Sequence, residues 1–452
     1  MKWLYRILKF LGVLIVVILL FLIVSIIPIK DSSLEDAEGY KKSLASIEQW
    51  QFTADEDTLT PFKVGWAKEN ITPEEVSPMA GYRYRSAFDA VHDSLFCRVF
   101  VFKKGEVKAA LVTVDLLIFP PSVITSLKER LKQTAWKFDE LYLSASHTHN
   151  GAGNWAKGAY GLFVSGGYEQ AYVDRISKSI ISAIHQAEAN VTEGKMGMNV
   201  LEAPDLVRNR LTDKGKENAQ FKWIKFETED STKAILASFT AHPTTISSKH
   251  HMLSNDYPYY LENYLLQNSD IEMAAFFAGP MGSHGPEGQK GGAEDYFSLP
   301  KKIGESLGKM VLKQWDSVPI TSPNSLSIDK VPIYLEDLHI RVLPALRTRG
   351  WLFEALTEPQ DLYIDVLKID ALTMLSTPCD FSGELVLDME KKIQHQNIMI
   401  NNFNGGYVGY ITPDKYYFEV AKPETMEMNW LGPNNGSMMS DFLLKILEKT
   451  EN

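Results

Sequence analysis

The apolar positions of this chain fall into three regimes. Residues 10–29 (FLGVLIVVILLFLIVSIIPI) form an uncharged run of twenty, which as a helix spans about 30 Å, the thickness of bilayer hydrocarbon. Residues 31–60 are polar and acidic with some helical character. From Phe62 onward, short apolar or β-branched segments mix with stripes at helical spacing. The short segments predict strands at 99–103, 109–115, 140–146, 222–227, 234–240 and 273–277, with more at 327–335, 338–342, 372–375 and 398–402. Helices are expected at 122–133, 169–189 and 300–314. The second of these places Tyr172, Ile176, Ile180, Ile184 and Ala187 on one stripe, which reads as core packing. Strands and helices interleave irregularly, so the expected fold is α/β: a layered, mixed β-sheet with flanking helices, preceded by one N-terminal transmembrane helix.

Composition sharpens this outline. With 452 residues, 45% hydrophobic and 11% aromatic, the chain can bury a large core. A net charge of -11 with no basic stripe argues against a nucleic-acid partner. Lys2, Arg6 and Lys9 precede the apolar run, and Asp31, Glu35 and Asp36 follow it. That bias puts the N-terminus in the cytoplasm and the body on the extracytoplasmic side of a single-pass membrane protein. A cleaved signal peptide is the competing reading; the run is long for one, and no small-x-small site follows. The expected organisation is 1–30 as cytoplasmic tip and anchor, 31–60 as stalk and 61–452 as the body, with a candidate boundary at the Pro/Ser-rich stretch 318–325. Cys97 and Cys379 lie far apart and are expected as two separate buried thiols.

Several expected strands end in side chains that ligate or polarise. Residues 141–155, LYLSASHTHNGAGNW, alternate apolar positions and then deliver His147 and His149 into a small-residue turn. Residues two apart on a strand share a side, so both imidazoles can face one wall, a common way to hold a transition metal. A second strand ends in Ala241-His242-Pro243, where Pro243 stops the ladder. After the strand at 273–277 comes AGPMGSHGPEG (278–288), glycine-rich but matching no phosphate-binding pattern. Downstream, a strand ends in Pro378-Cys379-Asp380, with Glu384 close behind, and NNFNGGYVGY (401–410) presents Tyr407 and Tyr410.

In this order the segments resemble the neutral/alkaline ceramidase family. The resemblance is carried by AGYRYR with VHDSLFCRVFVF (80–102), VTVDLL (112–117), SASHTHNGAG (144–153), RNR (208–210), FTAHPT (239–244), TPCDF (377–381) and YVGYIT (407–412). It covers roughly residues 62–440. It implies a ceramidase-like catalytic domain over 61–452 that cleaves the amide of a ceramide-like lipid to a sphingoid base and a fatty acid with one zinc ion. Carried over by position, it implies His147, His242, Asp380 and Tyr407 as zinc ligands, His149 as a catalytic neighbour and Arg210 as a substrate contact. Glu384 is the alternative acidic ligand if the loop is shifted. Two departures stand out: the carboxylate at Asp380 is one methylene shorter than the family's glutamate, and the family's serine matches Ser283 only with one residue inserted. The resemblance also expects the chain to end with the catalytic region, without the further β-sandwich domain of fuller-length members.

The chemistry agrees with the resemblance. Two imidazoles, a carboxylate and a phenol leave zinc an open position, as hydrolytic sites require. His149 reads either as general base and acid or as a support for the ligands. Ser283 reads as oxyanion donor or turn residue. Asp115 either orients a ligand histidine or caps a loop, and Asp93 serves either loop structure or substrate contact. His250, His251 and His284 are expected on exposed loops, away from the metal. The competing functions are a metal hydrolase of another N-acyl lipid, lipopeptide or ester, and a non-catalytic envelope lipid-binding protein with a degenerate site.

Overall fold

The computed structural model describes residues 2–30, 33–52, 59–82, 86–288, 290, 295–393 and 397–451. Arg83, Tyr84 and Arg85 of the AGYRYR segment lie outside the described residues, as does Asp31 of the acidic flank. The strands that organise the body are β1 (Ile26–Pro28), β2 (Lys63–Asn70), β3 (Phe96–Lys104), β4 (Val107–Val114), β5 (Leu141–Ala145), β6 (Thr192–Glu202), β7 (Gln220–Thr228), β8 (Lys233–Phe239) and β9 (Ile271–Ala278). They continue with β10 (Leu326–Pro332), β11 (Arg341–Leu343), β12 (Leu346–Thr348), β13 (Tyr363–Ile369), β14 (Leu372–Thr377) and β15 (Asn397–Asn402). An eight-stranded sheet runs β9-β8-β7-β6-β2-β3-β4-β5, and a four-stranded sheet runs β10-β13-β14-β15. Three pairings in these sheets are parallel, β4 with β5, β8 with β9 and β14 with β15. The loops after β5, β8, β14 and β15 carry His147 and His149, His242, Asp380 and Tyr407 in turn, whereas Ser283 follows β9 and Arg210 follows the short strand Val207–Asn209.

Strand alternation explains the layering. On β3, Val99 and Val101 pack toward helices α3 (Pro121–Leu131) and α5 (Gln170–Ala189), whereas Phe100 and Phe102 turn to the other face. That second face meets the four-stranded sheet, where Phe277, Leu367, Met374 and Met399 join one core. Helices α6 (Asp256–Asn268) and α7 (Ser298–Gln314) cover the other half of the large sheet. The helix Asn435–Glu451 covers the outer face of the small sheet. The result is a layered mixed α/β fold, helix–sheet–sheet–helix, and the expected stripe on α5 is buried throughout.

Other side chains settle open readings. Asp115, the residue after β4, is in a buried ion pair with Arg98 at 2.7 Å and accepts the Phe96 N–H at 2.8 Å, while Arg98 also reaches Glu262 on α6. Asp93 accepts from Ser254 Oγ at 2.5 Å and from the Asn255 N–H at 2.7 Å, which is loop structure. Cys97 and Cys379 are free and buried. The stretch 318–325 passes from one sheet to the other, and Thr321 bridges to Met196 of β6.

At the N-terminus, α1 (Lys2–Ser25) is long and apolar enough to cross a membrane, and its apolar window is wholly unburied. The segment expected as a stalk carries α2 (Glu38–Gln49), which lies on the body. Ile47 is buried beside the helix Asn435–Glu451, and Ser43 Oγ donates to the Tyr334 carbonyl at 2.6 Å.

Candidate metal centre

His147 was expected to share a strand side with His149. In the structure β5 stops at Ala145, and His147 sits in the left-handed region at φ 65°. The two imidazoles still meet, Nε2 to Nε2 at 3.2 Å, but a turn and not strand alternation brings them together. The strained backbone at His147 is held by its neighbours: its N–H donates to the Leu116 carbonyl at 3.0 Å, and its ring stacks on Phe403 at 4.1 Å.

His242 arrives from the end of β8, as its Pro243 stop suggests. The rings of His147 and His242 lie 4.7 Å apart, and those of His149 and His242 5.8 Å. Ligand atoms of His147, His149 and His242 all fall within 4.8 Å of one another, a group able to hold a metal ion. Tautomers are fixed by backbone carbonyls. His147 Nδ1 faces the Leu117 carbonyl at 2.5 Å, and His242 Nδ1 faces the His284 carbonyl at 2.9 Å. Each Nδ1 therefore carries the proton, and each Nε2 turns its lone pair inward. Burial keeps all three rings neutral. It pulls His147 down to about 3, with the nearby Asp380 carboxyl opposing, and puts His149 and His242 well below the ordinary imidazole range.

Asp380 reaches the same point from the loop after β14. Its Oδ1 lies 3.2 Å from His242 Nε2 and 3.5 Å from His147 Nε2, is buried, and has no hydrogen-bond donor. Its Oδ2 accepts from Tyr407 Oη at 2.7 Å. Burial raises the Asp380 carboxyl, against the opposing pull of His147, Tyr407 and Arg210. Glu384, the alternative acid, is engaged elsewhere: Asn209, Lys415 and Tyr416 all bond its oxygens. An orphaned carboxylate oxygen facing two inward lone pairs is a donor set that suits a borderline cation.

Tyr407 touches Asp380, and among the described residues no hydrogen bond links it to a histidine. Tyr410, named beside Tyr407 in the sequence but given no role there, has its Oη 3.1 Å from His242 Nε2 and 3.0 Å from Arg210 Nη2. Its signal was its spacing, three residues beyond Tyr407 in a strand-like YVGY. Arg210 is brought in with its Nη2 3.1 Å from His242 Nε2, braced by Glu424 at 2.9 Å.

Ser283 is buried one step away. Its Oγ meets Ser382 Oγ at 2.5 Å and His284 Nδ1 at 3.0 Å, and its carbonyl accepts the Arg210 N–H at 2.9 Å. None of these side-chain partners belongs to the histidine cluster. His284 corrects an expectation: it is fully buried, because its Nε2 accepts the Asn218 N–H at 2.8 Å inside the protein. His250 and His251 are half-buried; His250 stacks on Tyr296 at 4.2 Å, and His251 meets Ser86 Oγ at 2.9 Å.

Comparison with known proteins points to one family. Residues 62–276 match the family described as neutral/alkaline non-lysosomal ceramidase, N-terminal. Neutral ceramidase of Pseudomonas aeruginosa is 26% identical over 216 residues, 43% of this chain and 32% of the relative. Neutral ceramidase A of Dictyostelium discoideum is 26% identical over 217 residues, 43% of this chain and 30% of the relative. The matched part thus spans about a third of the length of these curated relatives. The crystal structure of neutral ceramidase from Pseudomonas aeruginosa superposes with a TM-score of 0.71 at 18% identity, over 86% of this chain and 75% of that one. The three histidines fall within the matched residues; Asp380, Tyr407 and Tyr410 lie beyond residue 276.

Proposed function

We propose, from the match of residues 62–276 to the neutral/alkaline ceramidase family, that this chain is a zinc-dependent amidohydrolase that cleaves the N-acyl amide of a ceramide-like lipid, held at a membrane by α1 with its body on the extracytoplasmic side. The observation that carries the proposal is the convergence of His147 Nε2, His242 Nε2 and the donor-less Asp380 Oδ1. These three would hold the ion, with the Tyr407–Tyr410 pair completing or orienting the set. A bound zinc ion supplies Lewis acidity, which polarises a carbonyl and makes water a nucleophile near neutral pH.

The protein's own groups do the rest. Arg210 Nη2 and Tyr410 Oη are donors on the His242 side, placed to favour negative charge on the acyl oxygen as the carbonyl carbon becomes tetrahedral. Burial holds His149 well below the ordinary imidazole range, so a ring nitrogen can take a proton from the attacking water. It then returns that proton to the nitrogen of the breaking C–N bond, which an amide requires because an amine anion leaves poorly. Ser283 and Ser382 back Arg210 through the Ser283 carbonyl, a positioning part.

The test is release of free fatty acid from N-acyl sphingoid lipids by the full-length protein in detergent, compared with a panel of other N-acyl lipids and esters. Turnover of the sphingoid amides, lost in His242→Ala, is the expected result. A zinc-loaded, folded protein that is inert on them and active on another acyl lipid transfers the assignment to that lipid.

A further inference from the structure

The uncharged run, residues 10–29, extends past the C-terminal end of α1, which stops at Ser25. Its helical part, residues 10–25, rises about 24 Å, short of the roughly 30 Å of bilayer hydrocarbon. The remaining apolar residues, Ile26 to Ile29, belong to β1 and the residue after it, and they are paired to the body. Ile26 is in register with Thr348 and Pro28 with Leu346 of β12. The Arg349 N–H donates to the Ser25 carbonyl at 2.8 Å, and the Ile29 N–H to the Ala345 carbonyl at 2.9 Å. No slack remains between span and body, so the edge of the hydrocarbon falls where β1, β12 and β11 form one sheet.

Exposed apolar side chains gather at that edge. Outside α1, eleven large hydrophobic residues are exposed among the described residues. Six of them, Leu162, Phe163, Val342, Leu343, Trp351 and Phe418, lie on or next to the elements that β1 joins. Val342 and Leu343 are on β11, and Phe418 lies beside the Arg341 guanidinium of that strand. Trp351 opens α8 (Gly350–Leu356), directly after β12, and meets Phe21 of α1 edge-on at 6.3 Å. Leu162 and Phe163 are on α4 (Gly158–Ser165), whose Gly158 abuts the Leu356 carbonyl at the end of α8. Water-exposed clusters of this kind mark contact surfaces, and tryptophan favours the membrane interface.

The same helix also leads inward. Phe353 of α8 packs on Trp430 at 5.0 Å, Trp430 meets Tyr407 at 5.2 Å, and Tyr407 bonds Asp380. Tyr160 of α4 packs on the same indole at 5.3 Å.

We propose that β11, α8 and α4 form a bilayer-contacting face that seats the body on the membrane in one fixed orientation, with its lipid-facing side chains continuous with the wall of the metal centre. A lipid amide then reaches the histidines from the bilayer without crossing water. This rests on the reading of α1 as an anchor.

The test uses the full-length chain in phosphatidylcholine nanodiscs, with nitroxide labels at Leu162→Cys, Phe163→Cys or Phe418→Cys; both native thiols are buried and stay unlabelled. Relative collision with oxygen, which partitions into lipid, against a water-soluble nickel chelate reports depth. Labels at 162, 163 and 418 should favour oxygen several-fold over a control at Lys309→Cys on the exposed side of α7. If they match Lys309 while Ile18→Cys in α1 reads lipid, the seated orientation is overturned although the anchor stands. If Ile18→Cys also reads water, the anchor and the proposal fall together. Hydrolysis of the lipid amide in detergent is scored separately, so loss of the seat and loss of the activity are distinct results.

Discussion

Asp380 and Tyr410 are register partners in a two-residue parallel pairing, and both side chains reach one atom, His242 Nε2, at 3.2 and 3.1 Å. The pairing fixes the carboxylate and the phenol side by side before any ion binds, which is the preorganisation a metal site needs. It also divides the work of the two tyrosines, since Tyr407 spends its proton on Asp380 while Tyr410 faces His242 and Arg210.

Tyr407→Phe and Tyr410→Phe should therefore fail differently. Loss of the Tyr407 hydroxyl frees the carboxylate to rotate and should weaken zinc affinity by about 10–100-fold, the usual cost of removing a partner of a ligand. Loss of the Tyr410 hydroxyl should leave more of the affinity and lower kcat. Chelator competition and single-turnover kinetics on both variants measure the split, and identical profiles contradict it.

Asp380→Asn should have opposite effects on the two forms of the protein. In the metal-free chain Oδ1 is buried without a donor, so removing its charge should leave stability unchanged or raise it by about 1–3 kcal/mol. The zinc-loaded chain should lose its metal. Thermal unfolding with and without chelator reads both signs; equal destabilisation in both forms contradicts the assignment.

A methyl group at Gly282 would lie 2.2 Å from the Asp380 carbonyl oxygen, so the two loops approach too closely for any side chain there. Gly282→Ala should cost about 2 kcal/mol or more and release the metal. Gly285→Ala, whose added carbon meets only the Arg210 side chain at 3.4 Å, is the tolerated control. Denaturant midpoints and zinc content check the pair.

The pH dependence of stability should carry a signature of His284. Burial pulls its imidazole down to about 4, so the unfolded chain accepts near pH 6.5 a proton that the folded one refuses. Its contribution is complete above pH 6.5 and drains as pH falls toward 4, by about 3 kcal/mol. The acid limb of the stability curve should be shallower in His284→Gln than in the parent, and unchanged slopes would contradict a buried neutral ring.

Much of the fold was legible because its strands are strongly apolar. β3, β4, β5, β8 and β9 are buried on both faces and read as near-continuous hydrophobic runs. β2 (KVGWAKEN) and β6 (TEGKMGMNVLE) were missed because lysine, glutamate and glycine break their pattern. Helix α6 (DYPYYLENYLLQN) was hidden by Pro258, which sits in the first turn, where its missing N–H costs nothing.

In the site, His147, His149, His242, Asp380 and Arg210 were findable from strand ends and segment order, and the structure brings them together. The burial of His284 was not legible, since GSHG looks like a solvated turn until Asn218 is seen to donate into it. Nor was the role of Tyr410, because only the pairing with Asp380 distinguishes it from Tyr407. Pairing between segments thirty residues apart (Asp380 and Tyr410) or sixty-six apart (Asn218 and His284) leaves no periodic trace in the sequence.

The claim on which all of this depends is that distant segments surround one zinc ion with imidazole nitrogen and carboxylate or phenolic oxygen. X-ray absorption at the zinc edge of the full-length protein tests it most directly. One zinc per chain with a mixed nitrogen/oxygen shell, two of its ligands imidazoles, and loss of that signal in His147→Ala and His242→Ala, is the predicted result. A sulfur-containing shell, or a zinc signal undiminished in both variants, would contradict it.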